Sequence, residues 1–434
     1  MLHILLFLSV FCIGIILSFA QLPIYAFVVY QAIYFFNPTA RWWSYGIPEI
    51  GYSFITVVVM AMLLFINYKN TKNNRIMALP VFRWLIFLLC IYAMNTFWAV
   101  FPDQHVESLI LFVKTIITIG LAYKLCDSVL KLDYMLYGYI FGAWYISFYV
   151  FQTGRNSSGR VEGIGTVDSP DANGLAAAIV PSLVLALYYF WTASTKKGKA
   201  VFAVSGVFIA NALVLINSRG AVLAAAVSLM YFMGALHFSK LQKKGQRKAV
   251  VIIMILGCLG GLRLLDDSFV ERIKTIKNTE VNEEKETGAT RTVFWLASLD
   301  VVADHPLGAG YRAFNYYSDE YLPMDMNTGN SRSRTVHSTW FEVLTEMGYL
   351  GFFVFMMMLY SCFSMTHECK KKTNNLESVD DYFKIIALEA AFIAFIVAMT
   401  FLNRSRAEIL YWMVLFVSCA YNVYVMSRND KKIS

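Results

Sequence analysis

Charge is scarce in this chain. Only 15% of its 434 residues are Asp, Glu, Lys or Arg, while 58% are hydrophobic, and the mean hydropathy is +0.54. A soluble domain carries about 25% charged residues. That shortage excludes a soluble globular fold and indicates an integral membrane protein, of a length that suits one polytopic domain. Cysteine offers no framework either. The seven cysteines lie mostly in or beside apolar runs and none falls in the one long polar stretch, so neither a disulfide scaffold nor a Cys-x-x-Cys metal site is implied. The first residues are apolar at once, with no basic n-region and no cleavage site, so residues 1–20 read as a retained membrane helix rather than a signal peptide. The net charge of +8 is spread in short clusters between apolar runs, which is a topology signature and not a nucleic-acid surface.

What is present is a succession of thirteen apolar runs from 2–20 to 408–426. Each is near the roughly 20 residues that cross a bilayer. The expected fold is an all-α polytopic membrane protein of about 12–13 transmembrane helices. Residues 1–265 hold the first ten or so, 266–346 form one large external loop with short helices, and 347–434 hold the C-terminal helices and tail. Short loops at 68–83, 124–132, 195–199, 239–248 and 367–384, with the tail, carry 21 Lys and Arg; the opposite loops carry 6. The richer set belongs in the cytoplasm. The six outward residues are all arginine: Arg41, Arg155, Arg160, Arg219, Arg404 and Arg406. Arginine offers a planar fork for phosphate or carboxylate, where lysine offers a point charge.

The long polar stretch divides into parts. Residues 266–287 are of mixed charge and read as an exposed, partly helical surface. From Thr290 to Asp304, Val293, Leu296, Ala297 and Val301 recur at helical spacing, so an amphipathic helix is expected, ended by Pro306, Gly308 and Gly310. Gly308-Ala309-Gly310 is no phosphate loop, having no preceding strand and no Gly-Lys-Ser/Thr after it. Residues 315–336 are rich in Tyr, Asn, Ser and Arg and read as a mobile loop. Thr339 and Glu342 have capping-box spacing, which starts a helix there and puts His337 just ahead of its positive end. A neutral imidazole in that position suits a general base, although a capping or surface histidine fits the same spacing.

Two arginine turns lie outside this stretch, Asn217-Ser218-Arg219-Gly220 and Arg404-Ser405-Arg406-Ala407-Glu408. Each poses a choice between snorkelling to lipid headgroups and lining an anion site. A third turn holds Arg160 and then Asp168-Ser169-Pro170-Asp171-Ala172-Asn173-Gly174, where Asp171 and Asn173 read first as helix caps.

Taken in order, Arg160-x-x-Gly163, Asn173-Gly174-Leu175-Ala176, Ser218-Arg219-Gly220-Ala221, Arg291-x-x-x-Trp295, His305-Pro306-Leu307-Gly308-Ala309-Gly310, His337-Ser338-Thr339-Trp340 and Glu346-Met347-Gly348-Tyr349-Leu350-Gly351 resemble the O-antigen ligase and polymerase superfamily of bacterial membrane proteins. The resemblance spans roughly residues 150–365. It implies a C-type glycosyltransferase architecture that moves a glycan from an undecaprenyl-pyrophosphate carrier to an acceptor hydroxyl of a lipid, glycan or protein. The setting implied is the periplasmic face of the inner membrane. It further implies that Arg219, Arg291 and Arg160 bind the donor pyrophosphate and that His337 acts as base or orients the acceptor. Arg404, Arg406, Asn173 and Trp340 are accessory candidates. Ser338 departs from the asparagine that often follows the family histidine. Arginine forks can stabilise a pyrophosphate leaving group without a metal, and the chain has no Asp-x-Asp pair. No cofactor, metal or nucleic acid is therefore expected, and inversion at the anomeric carbon is the expected course. A ligase is the first reading and a polymerase of the same family the second. A polysaccharide or lipid-linked glycan transporter is the rival from another class, to be marked by charges within spans or by broken helices.

Overall fold

Lipid leaves no solvent for backbone N–H and C=O groups, so an apolar run satisfies them within itself by coiling into a helix. Each of the thirteen runs does so in the computed structural model, which describes residues 2–156, 159–264, 288–326, 331–374 and 379–427. The exposed stretch expected at 266–287 and the basic tail beyond 427 lie outside the described residues.

The first half of the chain forms α1 (Leu2–Ala20), α2 (Tyr25–Phe36), α3 (Tyr52–Ile66), α4 (Pro80–Met94), α5 (Pro102–Leu125), α6 (Val129–Thr153) and α7 (Ala172–Thr192). It continues through α8 (Lys196–Ile216), α9 (Arg219–Phe238), α10 (Gln246–Leu264), α11 (Gly288–Asp304), α12 (Ala313–Tyr321), α13 (Thr339–Thr373), α14 (Val379–Met399) and α15 (Glu408–Tyr421). Among the described residues no strand occurs, and nine helices are long and apolar enough to cross a membrane by length and composition. The difference from twelve or thirteen has a physical source. α2 and α3 have 12 and 15 residues, short of the ~20 a span needs; α6 is long enough but diluted along its length by tyrosine, and α10 carries Arg247, Lys248 and Arg263.

Two helices that read as ordinary spans are central. Every residue of α15 from Ile409 to Ala420 is buried, as are Phe27, Ile33, Tyr34 and Phe35 of α2. A helix apolar all round is one with neighbours all round. Trp412 of α15 sits among the rings of Phe27, Tyr34, Phe35 and Tyr139. The arginine-bearing turns gather at one end of the bundle and the lysine-bearing ones at the other. At the lysine end, Lys124 Nζ donates to the Asn74 carbonyl at 2.7 Å, and Asn422 donates to the Asn74 side chain at 2.9 Å.

The loop segment from α11 to the start of α13 has its own small core, in which Phe294, Ala297 and Val301 of α11 meet Phe314, Leu322 and Val336. The amphipathic helix is where the periodicity puts it, but Leu296 points outward, 60% exposed, and Phe294 takes its place inside. The stretch expected to be mobile begins as α12. It is fastened by Ser318 Oγ donating to the Arg332 carbonyl (2.8 Å) and by Asn315 to Thr335 (3.2 Å).

α13 is broken at Gly348, where φ is +68°. The break turns the carbonyls of Thr345 and Glu346 to the N–H groups of Ala309 and Gly310, both at 3.0 Å, while Tyr349 N–H reaches the Pro306 carbonyl at 3.1 Å. The Gly308-Ala309-Gly310 run is thus a clasp that locks the loop to a split helix. A Cβ on Gly348 would lie inside the Pro306 carbonyl, and one on Gly308 would stand 2.5 Å from the Glu346 carbonyl. Gly348→Ala is therefore expected to destabilise the protein by more than ~1 kcal/mol, read as a lowered thermal unfolding midpoint in detergent. An unchanged midpoint would mean that the clasp contributes nothing.

The spans are less free of charge than their hydropathy suggests. Lys384 pairs with Asp133 at 2.7 Å, and Lys370 pairs with Glu389 at 2.6 Å, where Tyr231 also donates to Glu389. Each of these carboxylates has its cation, as buried charge requires.

Candidate functional site

The turn between α14 and α15, residues 400–407, is where the separated motifs meet. Ahead of α13, Ser338 N–H donates to Asn403 Oδ1 at 3.1 Å. Thr339 Oγ1 donates to the Leu402 carbonyl at 2.7 Å and accepts from Arg404 N–H at 2.9 Å. Trp340 Nε1 reaches Thr400 at 3.0 Å. From the loop, Arg291 Nη1 extends to the Phe401 carbonyl at 3.5 Å. From the turn between α8 and α9, Gly220 lies against the Phe401 ring, 3.2 Å from where its Cβ would be. Phe401 to Arg404 thus border Arg291, the turn that carries Arg219 and the residue that follows His337.

His337 stands just ahead of α13, with φ at +51°. A left-handed conformation costs a non-glycine residue about 1–2 kcal/mol, and such strain concentrates at functional sites. Asn217, two residues before Arg219, is likewise left-handed at +58°. The capping box expected of Thr339 and Glu342 does not form. Ser338 is the N-cap residue and its side chain caps nothing. Glu342 instead accepts from Ser405 N–H at 3.0 Å and pairs with Arg406. The helix starts at the expected place for a different reason: its first turn is stitched to the 400–407 turn.

The arginines divide into two kinds. Arg160 donates to Asn173 Oδ1 at 2.9 Å and to the Ile216 carbonyl at 3.5 Å, bridging the start of α7 to the end of α8. Arg155 reaches the Val214 and Leu215 carbonyls of the same helix end at 2.8 and 3.4 Å. These two occupy the carbonyls that a helix C-terminus leaves open, and so hold the turn that presents Arg219. Arg219 is half-buried and close enough to Arg160 to feel its repulsion. Arg406 is the other kind. It is buried against Glu342 and Glu346 and lies over the rings of Tyr92 and Tyr311 at 5.0 and 5.1 Å. Burial acts against its charge, but Glu346, Tyr92 and Glu342 more than offset this and hold its pKa well above the ordinary arginine value. Its place is in the frame of the site.

Arg404 donates to the Asp168 carbonyl at 3.0 Å and to Asp171 Oδ2 at 2.5 Å. Asp168 is itself held by Tyr34 (2.5 Å) and by Glu408 N–H (2.7 Å), and Tyr30 donates to Glu408 at 2.9 Å. Three helix N-termini, at Ala172, Arg219 and Thr339, open on this region, and a helix N-terminus favours an anion. Arginine forks and helix N-termini around one turn make an arrangement that can take a doubly phosphorylated group. Trp340 and Arg406 serve it as supports. Asn403 is the participant that the sequence reading passed over; Arg155 was read only among the six outward arginines, Glu342 only as a capping-box residue and Glu346 only within a motif. The i, i+4 spacing of the two glutamates was a usable signal; a lone asparagine in a turn gave none.

Comparison with known proteins adds an independent line. The family model described as O-antigen ligase matches residues 204–356. The chain is also 21% identical over 314 residues to "Exopolysaccharide production protein ExoQ" of Rhizobium meliloti (strain 1021), covering 69% of this chain and 68% of that protein.

Proposed function

Because the chain is a member of the O-antigen ligase and polymerase superfamily, we propose that it transfers a glycan from an undecaprenyl-pyrophosphate carrier to an acceptor hydroxyl at the periplasmic face of the bacterial inner membrane. Membership supports the coarser part, a glycan transferase of the ligase or polymerase type working on lipid-linked glycans in a membrane. The residue roles and the donor are our reading. His337 takes the proton of the incoming hydroxyl. The hydroxyl oxygen forms a bond to the anomeric carbon from the face opposite the pyrophosphate, and the carbon–oxygen bond to pyrophosphate breaks with inversion. Arg219 and Arg291, aided by Arg160, receive the charge that develops on the leaving group.

The observation that carries this reading is that Arg291, the residue that follows His337 and the Arg219 turn, which come from three distant segments, all border Phe401 to Arg404. The name of the relative, an exopolysaccharide production protein, favours a polymerase, in which the acceptor is another lipid-linked glycan, over a ligase, in which it is a lipid or protein. A transporter is less well supported, because the buried charges in the spans are engaged with one another and the break in α13 is taken up by the 306–310 clasp.

The test is to incubate the purified full-length protein with a lipid-linked glycan and candidate acceptors, and to identify products by mass spectrometry. A longer lipid-linked glycan marks a polymerase and a glycan on another acceptor marks a ligase. No product from correctly inserted protein overturns the proposal. Among the described residues no three His, Cys, Asp or Glu side chains cluster as metal ligands. Turnover is expected to survive EDTA in full, and a loss reversed only by added divalent metal would refute the metal-free course.

A further inference from the structure

The α7 N-terminus carries a contact that neither capping nor the proposed chemistry accounts for. Asp171 uses its two carboxylate oxygens separately. Oδ1 accepts Gly174 N–H at 2.8 Å, which is ordinary capping, while Oδ2 takes Arg404 Nη2 at 2.5 Å. The guanidinium lies directly across the helix entrance. A Cβ on Gly174 would coincide with Arg404 Nη2, so only glycine leaves that seat open. A cation over the positive end of a helix is unfavourable unless an anion joins them. On the far side of the same first turn Asn173 holds Arg160, whose charge bears on Arg219. The Arg404 side chain is 12% exposed, and its Nε is buried and takes no hydrogen bond among the described residues; Asp171 is 54% exposed. The cation is fixed in the wall and the anion facing it is half in solvent.

We propose that Asp171 is a resident anion in the donor seat: its carboxylate holds Arg404 in place when the site is empty and is displaced from Arg404 by a phosphate of the incoming donor. This rests on the pyrophosphate-transfer reading and deepens it. The seat then comprises Arg404, made accessible by Gly174, beside Arg160 and Arg219. A half-exposed ion pair is weak, whereas a pyrophosphate brings more charge and more oxygens to the same fork. The exchange therefore runs in the donor's favour, and Asp171 sets how tightly an anion must bind to enter.

Inorganic pyrophosphate is the probe, titrated calorimetrically into the full-length protein at fixed ionic strength. Asp171→Asn keeps an oxygen to cap Gly174 N–H and removes the charge. It is expected to bind pyrophosphate about three- to fivefold tighter, the scale of a surface ion pair. A variant that binds equally or more weakly overturns the proposal, since a merely structural cap predicts no gain. In an Arg404→Gln background the gain is expected to vanish. A gain that persists there would assign it to general electrostatics and also overturn the proposal. Arg219→Lys separates this inference from its parent. If that variant weakens pyrophosphate binding while Asp171→Asn leaves it unchanged, the transfer reading stands and the resident anion falls. If Asp171→Asn tightens binding through Arg404 while Arg219→Lys changes nothing, the resident anion stands and Arg219 loses its donor role.

Discussion

His337→Ala is expected to lower glycan transfer about a hundredfold or more, the usual size of a general-base contribution, with insertion and thermal midpoint unchanged. The structure gives reason to expect so clean a loss. The residue sits in a left-handed conformation, and the site is pinned on both sides of it. Val336 accepts from Trp295 Nε1 at 3.1 Å, and Ser338 is tied to Asn403. The backbone is thus held by contacts that alanine leaves in place. If strain at this position were the whole reason for histidine, His337→Asn, which tolerates the left-handed region, would restore activity. Restoration by asparagine, or wild-type transfer by the alanine variant, would remove the base assignment. A loss in both with normal stability supports it.

The second large effect is expected at the arginines. Arg219→Lys and Arg291→Lys each keep the charge and lose the fork. A loss of about tenfold or more in kcat/KM for the lipid-linked donor is expected from each, because bidentate phosphate recognition does not survive that exchange. The effects are expected to be less than additive when combined, since both border the same turn. Headgroup anchors behave differently, because lysine snorkels as well as arginine does. Unchanged kinetics in both variants would therefore assign them to the membrane surface. Arg406→Lys is the instructive contrast. Its guanidinium is held by two buried carboxylates, so its loss is expected as a lowered unfolding midpoint before any change in donor use.

Much of the fold was legible because lipid imposes one rule on every apolar run. Helix existence follows from that rule alone, and the grouping of the arginine turns at one end of the bundle accords with the charge bias of the loops. Legibility stopped where a tertiary contact overrode a local pattern. α2 and α15 look like any span in sequence, and only packing makes them central. Residues 315–321 are polar enough to read as loop, yet Ser318 and Asn315 tie them to the returning segment at 332–335. Thr339 and Glu342 have capping spacing, but the 400–407 turn takes both side chains first. For the site, the residue types Arg219, Arg291 and His337 were readable, and Arg160 and Arg404 were readable as candidates. Their common neighbour was not, because nothing in Thr400-Phe401-Leu402-Asn403 marks it as a meeting point.

The 400–407 turn also determines when the proposed site is complete. Asp171 and Arg404 are separated by 233 residues, which a ribosome takes roughly ten to fifty seconds to add. From residue 219 onward the nascent chain holds Arg160 and Arg219 without the 400–407 segment that borders them. Competence therefore arrives late in synthesis, with the hairpin of α14 and α15. On the proposed function, a chain that stops before this hairpin lacks the turn that brings the donor arginines together, so donor chemistry waits until almost all of the spans have been made.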